Sequence, residues 1–201
     1  MKIEIREYGP EDRDEWMGVH AVILSISHAW NYSIQERPTY DDRESTQLVA
    51  FAEGRMVGLI DVQYDNEAGE LCLLKDSRGG YVVEFGRLPE FAGHQIGAQL
   101  MEAAARAAEK KGVRRLEYWS QDRKAQRFYR RVGLPEIGRH YRFRIKAPHD
   151  VTERMQQDLV GIEYLYCACV PEEWPLIKKK YEVIERPPLE PHLCIGYEAR
   201  F

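Results

Sequence analysis

Residues 81–134 limit this chain more than any other stretch. Residues 81–88 are rich in β-branched and aromatic side chains and read as a strand. Pro89 ends it, and Phe91-Ala92-Gly93-His94-Gln95-Ile96-Gly97-Ala98 leads into a helix over 96–111. Ile96, Leu100, Ala103, Ala104, Ala107 and Ala108 share one face of that helix, and Gly112 stops it. A second strand is expected at 114–120. A basic helix follows at 122–132, stopped by Gly133. A strand that delivers the chain to a glycine-bearing helix start is a place to hold phosphates. The first N–H groups of a helix lack intrahelical partners, and its dipole favours negative charge there. Tyr129, in the helix after the next strand, is a candidate proton donor beside whatever carries those phosphates. The pairing points to an enzyme with a nucleotide-like cofactor.

At 201 residues the chain suits one full domain with an appendage, large enough to fold without staples. Its charge is unevenly spread. Residues 106–146 hold 14 Lys/Arg against 4 Asp/Glu, although the whole chain has net charge −4. The basic segment is either a site for an anion or a solvated helix face, and the acidic remainder would favour a cationic partner. Overall acidity, with no aromatic-basic surface pattern, argues against nucleic acid. Cys72, Cys167, Cys169 and Cys194 show no CxxC spacing and are read as reduced thiols, with no metal site expected. Residues 17–30 are apolar but too short to span a bilayer, and the N-terminus is charged from the start. No membrane partner is expected, and the cytoplasm is the expected location.

Elsewhere the chain reads as a strand at 2–8 and a helix from Pro10 to about 28. An irregular stretch over 31–44 is expected to hold a short helix near 40–46. Strands at 47–52 and 56–64 form a hairpin around Glu53-Gly54-Arg55. The polar loop 65–80 is interrupted by Leu71-Cys72-Leu73-Leu74, read as an extra hairpin arm. A strand is expected at 137–146. The tail offers a helix at 152–159, a strand at 161–170, a helix from Pro171 and a last strand at 192–201. This divides the chain into a main domain, 1–146, and a strand–helix–strand extension, 147–201. The extension is expected to pack on the domain or on a second subunit, which leaves a homodimer open. Its last strand would cover a sheet edge.

The element order and two motifs resemble the GCN5-related N-acetyltransferase (GNAT) superfamily over residues 2–146. The motifs are Arg87-Leu88-Pro89-Glu90-Phe91 running into Gly93–Gly97, and Asp122-x-x-Ala125-x-x-Phe128-Tyr129-x-x-x-Gly133-Leu134. The resemblance implies an α/β (α+β) fold: a mixed, mostly antiparallel sheet flanked by helices. It implies acetyl-CoA as co-substrate and transfer of acetyl to a primary amine of a small molecule or peptide. The family motif runs Gln/Arg-x-x-Gly-x-Gly/Ala. Here the final glycine is kept as Gly97, while Ala92 and Gln95 replace the leading side chain and the middle glycine. Those departures motivate an alternative, a catalytically silent acyl-CoA-binding regulatory module. By the same resemblance, Arg87, Leu88, Gly93, His94, Gln95, Ile96, Gly97, Ala98, Asp122, Ala125 and Phe128 bind the cofactor. Its pantetheine arm would lie along strand 81–88, with a backbone N–H near Arg87 or Leu88 facing the thioester oxygen. Tyr129 matches the tyrosine near the cofactor sulfur; an aromatic core anchor is the other reading.

An amine must lose a proton before it attacks, and Glu84 is the candidate base. It sits among Val82, Val83 and Phe85, where a charge needs a partner or a purpose. An ion pair with an arginine is the alternative. His20, His28, Trp30, Tyr32, Tyr40, Asp41 and Asp42 lie in the segment that walls the acceptor side in the family. Acids and aromatics suit a cationic amine, although packing would also explain them.

Overall fold

The computed structural model describes residues 1–27, 36–40, 42–149, 164–184 and 191–201. Among the described residues eight strands form one sheet: β1 (Ile3–Glu7), β2 (Ser45–Ala52), β3 (Arg55–Tyr64), β4 (Gly80–Arg87), β5 (Arg115–Ser120), β6 (Glu136–Lys146), β7 (Tyr164–Cys169) and β8 (His192–Arg200). Their spatial order is β1-β2-β3-β4-β5-β8-β6-β7. Only β4 and β5 run parallel; every other neighbouring pair is antiparallel. The sheet is therefore the mixed, mostly antiparallel one expected.

Among the described residues four α-helices flank it: α1 (Arg13–Ile26), α2 (Ile96–Lys110), α3 (Arg123–Arg131) and α4 (Trp174–Lys180). The amphipathic pattern of α2 places Ile96, Leu100, Met101, Ala104 and Ala108 in the main core, with Val57, Ile60, Val82, Leu116, Tyr118, Tyr129 and Tyr197. Helices α2 and α3 thus share one face. Helix α1 takes the other, where Trp16 and Val19 pack on Val49, Met56, Leu59 and Leu88. A short 3-10 turn at Pro10–Asp12 precedes α1, and the Asp12 carboxylate ties it down by accepting from Gly9 N and Arg6.

Three expectations are corrected. Residues 42–46 form no helix; β2 begins at Ser45, and Glu44 O accepts from Tyr64 N at 3.0 Å. Residues 71–74 form no hairpin arm. Their N–H groups go to carboxylates instead: Leu71 and Cys72 donate to Asp65, and Leu73 and Leu74 to Glu117. The closing strand β8 covers no edge, because it is inserted between β5 and β6. The helix expected at 152–159 lies outside the described residues.

Candidate active site

Strands β4 and β5 pair at only three positions: Gly80 with Leu116, Tyr81 with Glu117 and Val82 with Tyr118. Past Val82, β4 keeps β3 as its neighbour as far as Arg87. Among the described residues no strand pairs with its other edge there, and the two parallel strands part to leave a slot. A bulge falls there, since Asp61 pairs with Glu84 and Val62 with Val82, leaving Val83 unmatched. Bulges bend the strand that carries them, which accounts for the divergence.

The open edge carries usable donors. Leu88 N donates to Val57 O at 2.8 Å, so that group is taken. Antiparallel pairing alternates, so the N–H groups of Phe85 and Arg87 point the other way, toward the slot. Of the two donors expected near Arg87 and Leu88, the Arg87 N–H is the one that faces the open edge. The Leu88 side chain is buried against α1. The Arg87 guanidinium folds onto its own turn, donating to Leu88 O at 2.8 Å and Pro89 O at 3.3 Å.

On the α2/α3 face the slot is lined by aromatics. Phe85 lies 6.2 Å from Tyr118, 6.0 Å from Phe128 and 6.2 Å from Tyr129, between ring centroids. Tyr129 is buried, 5.3 Å from both Tyr118 and Tyr197. Burial, reinforced by Tyr118, pushes its phenol well above the usual range, so it stays protonated. Phe128 also braces the start of α2. A Cβ at Gly97 would come within 3.1 Å of its ring, so glycine lets the two helices meet.

At the N-terminus of α2, Gln95 is the N-cap, and no side chain caps the helix there. Gln95 adopts φ 58°, the left-handed conformation that glycine holds most readily. The position where the family motif has a glycine is thus left-handed in this chain, although it carries a side chain. The N–H groups of Ile96, Gly97 and Ala98 open the helix, where an anion is favoured. Gly93 is also left-handed. His94 is exposed, and its carbonyl accepts from Gln99. Asp122 caps α3 by accepting from Lys124 N at 2.9 Å, and Ala125 packs on the core. Both position α3, whose Arg123, Lys124, Arg127, Arg130 and Arg131 are exposed.

The α1 face of the slot is acidic. Glu84 Oε2 lies 2.9 Å from His20 Nε2, and the His20 ring is buried and stacked on Trp16 at 4.7 Å. Asp61, fully buried and directly across from Glu84, accepts from Arg37 at 2.9 Å and from Tyr40 at 3.2 Å. Arg37 also lies 3.8 Å above the Tyr8 ring. Glu84 therefore pairs with a histidine, while the arginine serves Asp61. Burial lifts the Asp61 carboxyl to about 6; Arg37 and Tyr40 oppose the rise and Glu84 adds to it. His20 Nδ1, Asp61 Oδ1, Arg37 Nε and Trp16 Nε1 are buried and make no hydrogen bond with the described residues. Of the acceptor-side candidates, His20 and Tyr40 join this cluster. Asp42 is exposed and pairs with its neighbour Arg43. His28, Trp30, Tyr32 and Asp41 lie outside the described residues. Sequence reading missed Asp61, although a carboxylate between Ile60 and Val62 carries the same signal as Glu84.

A family model described as "Acetyltransferase (GNAT) family" matches residues 11–134. No curated protein matches the chain. Among solved structures, a GNAT-family acetyltransferase from Streptococcus pneumoniae is 13% identical with TM-score 0.61, covering 100% of both chains. The PaiA N-acetyltransferase from Thermoplasma acidophilum, in complex with coenzyme A, is 20% identical with TM-score 0.53, covering 68% of this chain and 92% of that one. AAC(6')-Iy, in complex with the bisubstrate analogue CoA-S-monomethyl-acetylneamine, is 19% identical with TM-score 0.51, again covering 68% and 92%. These likenesses concern the fold. The family model spans more than half of the sequence, including both motifs and the slot between them, and the chain belongs to the acetyltransferase (GNAT) family.

Proposed function

We propose that this chain is an acetyl-CoA-dependent N-acetyltransferase that moves an acetyl group to a primary amine of a small molecule or peptide by direct attack on the thioester. One observation carries the reading: the slot between β4 and β5 has a carboxylate, Glu84, on one face and a buried phenol, Tyr129, on the other. Acetyl-CoA, the co-substrate of the family, supplies the activated acetyl group. The residues present fit it. The open edge of β4 suits an extended amide arm, and the start of α2 with basic α3 suits phosphates. The coenzyme A and bisubstrate complexes of the two structural neighbours support this assignment.

Each group then has one task. Glu84 takes the proton from the ammonium, held in place by His20. The Arg87 N–H donates to the thioester oxygen as charge develops on it. Tyr129 holds a proton for the departing sulfur. Free Cys72, Cys167, Cys169 and Cys194 fit a reducing compartment, so the reading includes a cytoplasmic location.

The test is release of free CoA by purified protein across an amine panel, beside calorimetric binding of acetyl-CoA. Glu84→Gln should lower kcat about 10²–10⁴-fold with cofactor affinity intact. Tyr129→Phe should lower turnover more than cofactor binding. Turnover untouched by Glu84→Gln removes it as the base. Tight acetyl-CoA binding without turnover of any amine restores the binding-module reading, and no binding sinks both.

A further inference from the structure

A cleft of about 430 Å³ opens on the α1 face beside the slot. That volume is in the range of small-molecule sites, roughly 300–1,000 Å³. Trp119 lines it and is the first residue of β5 beyond its last pair with β4. Gly196 of β8 pairs with Trp119, and a Cβ there would stand 2.5 Å from the indole. Glycine therefore lets the indole lie over the sheet, where it reaches His140 of β6 at 5.3 Å between centroids. Tyr81 lines the β4 side, and residues 69–73 with Lys75 form the opposite wall. That wall is pinned from two sides, by Asp65 to Leu71 and Cys72 and by Glu117 to Leu73 and Leu74. The result is an aromatic floor with a fixed rim.

Two cations line the cleft, Lys75 in the wall and Arg142 on the sheet. Arg142 of β6 lines it and has no carboxylate partner among the described residues. Glu70 also lines it, but its carboxylate is engaged by Arg43 at 3.3 Å and by Asn66 N at 3.1 Å. Burial raises the Tyr81 phenol and the Cys194 thiol and lowers the His140 imidazole; Arg142 pulls all three downward. Strands β4 and β6 stand three steps apart in the sheet, roughly 14 Å at ordinary strand spacing, and Arg142 is also displaced along the strands, since it pairs with His192 whereas Val82 is level with Tyr118 and Tyr197. The Arg142 side chain covers only part of that distance. A molecule that touches both Glu84 and Arg142 must therefore carry its amine and its anion at opposite ends.

Building on the acetyl-transfer reading, we infer that this cleft holds the body of the acceptor, and that it selects primary amines on a planar aromatic body with a carboxylate at the far end. The ring would lie on Trp119, and the planar fork of Arg142 would take both carboxylate oxygens.

The experiment compares 4-(aminomethyl)benzoate with its neutral amide, 4-(aminomethyl)benzamide, by CoA release and by calorimetric titration onto the CoA-loaded protein. The acid should exceed the amide about tenfold in kcat/KM and in affinity, the size expected for one charged hydrogen-bonded pair. Arg142→Gln should erase that ratio, and Arg142→Lys should restore part of it. Equal values for acid and amide in the unaltered protein overturn the inference, as does a preference that survives Arg142→Gln or no binding of the acid. Acetylation of neutral amines without preference for the acid overturns this inference alone. Selective binding of the acid with no CoA release from any amine overturns the transfer reading and leaves the site standing.

Discussion

Glu117→Gln removes one negative charge from the buried end of the pinned loop. Glu117 is fully buried and receives four donors. Oε2 accepts from Leu73 N at 2.8 Å and Trp119 Nε1 at 3.1 Å; Oε1 accepts from Leu74 N at 2.9 Å and Arg115 Nη1 at 2.8 Å. Glutamine offers one oxygen and one NH₂. In either orientation its NH₂ faces two donors, so two hydrogen bonds are lost and their donors are left buried. Hydrogen bonds to a charged group contribute about 1.5–3 kcal/mol each. Arg115 keeps Glu198 at 3.4 Å and Ser77 O at 3.1 Å, which offsets part of the loss. The expected destabilisation is about 3–5 kcal/mol, the size seen when one member of a buried ion pair is removed. For a chain this long that is a fall in Tm of about 10 °C. Urea denaturation reads the first figure and a thermal melt the second. Glu109→Gln is the control, because its Arg114 partner is exposed and the change should stay within about 0.5 kcal/mol. Amide exchange at Leu73 and Leu74 should quicken in Glu117→Gln, loosening the wall of the cleft. A loss below about 1 kcal/mol, or unchanged exchange at those amides, would refute the assignment of Glu117 as the loop's anchor.

Two further outcomes follow from single residues. Gln95→Gly should raise stability by about 1 kcal/mol in denaturant melts, because a non-glycine residue at φ 58° carries the left-handed strain that glycine lacks; a variant less stable than the parent would show that the Gln95 side chain contributes more than its backbone costs. Asp61 sets a pH dependence. Its folded value, about 6, lies above the ordinary 3.8, so the folded state binds the extra proton between these values. This contribution to stability is present below 3.8 and is lost as pH rises through about 6, a change of order 3 kcal/mol. Asp61→Asn cannot ionise, so its stability relative to the parent should improve across that interval; a difference that moves the other way counts against burial as the dominant influence on Asp61.

The segment around the slot was legible because its signals are local. Helical spacing, Gly112 and the Asp122 cap mark α2 and α3, and the structure moves their ends by only a residue or two. What escaped depends on partners distant in sequence. Leu71–Leu74 carry an apolar run that suits a strand, but their donors are claimed by carboxylates, one of them 44 residues away. The place of β8 between β5 and β6 is a choice of neighbour that no pattern within 192–200 encodes. The partner of Glu84 likewise follows from how α1 docks on the sheet and from a bulge at Val83. The start of α2, proposed to hold the phosphates, shows the opposite case. Ala92 and Gln95 depart from the family's side chains and suggest a weakened clamp. Yet anion binding at a helix start uses backbone N–H groups, and these depend on φ and ψ rather than on the side chain. Gln95 holds a left-handed angle and Gly97 admits Phe128, so the backbone N–H groups that open α2 do not depend on the letters that usually announce them.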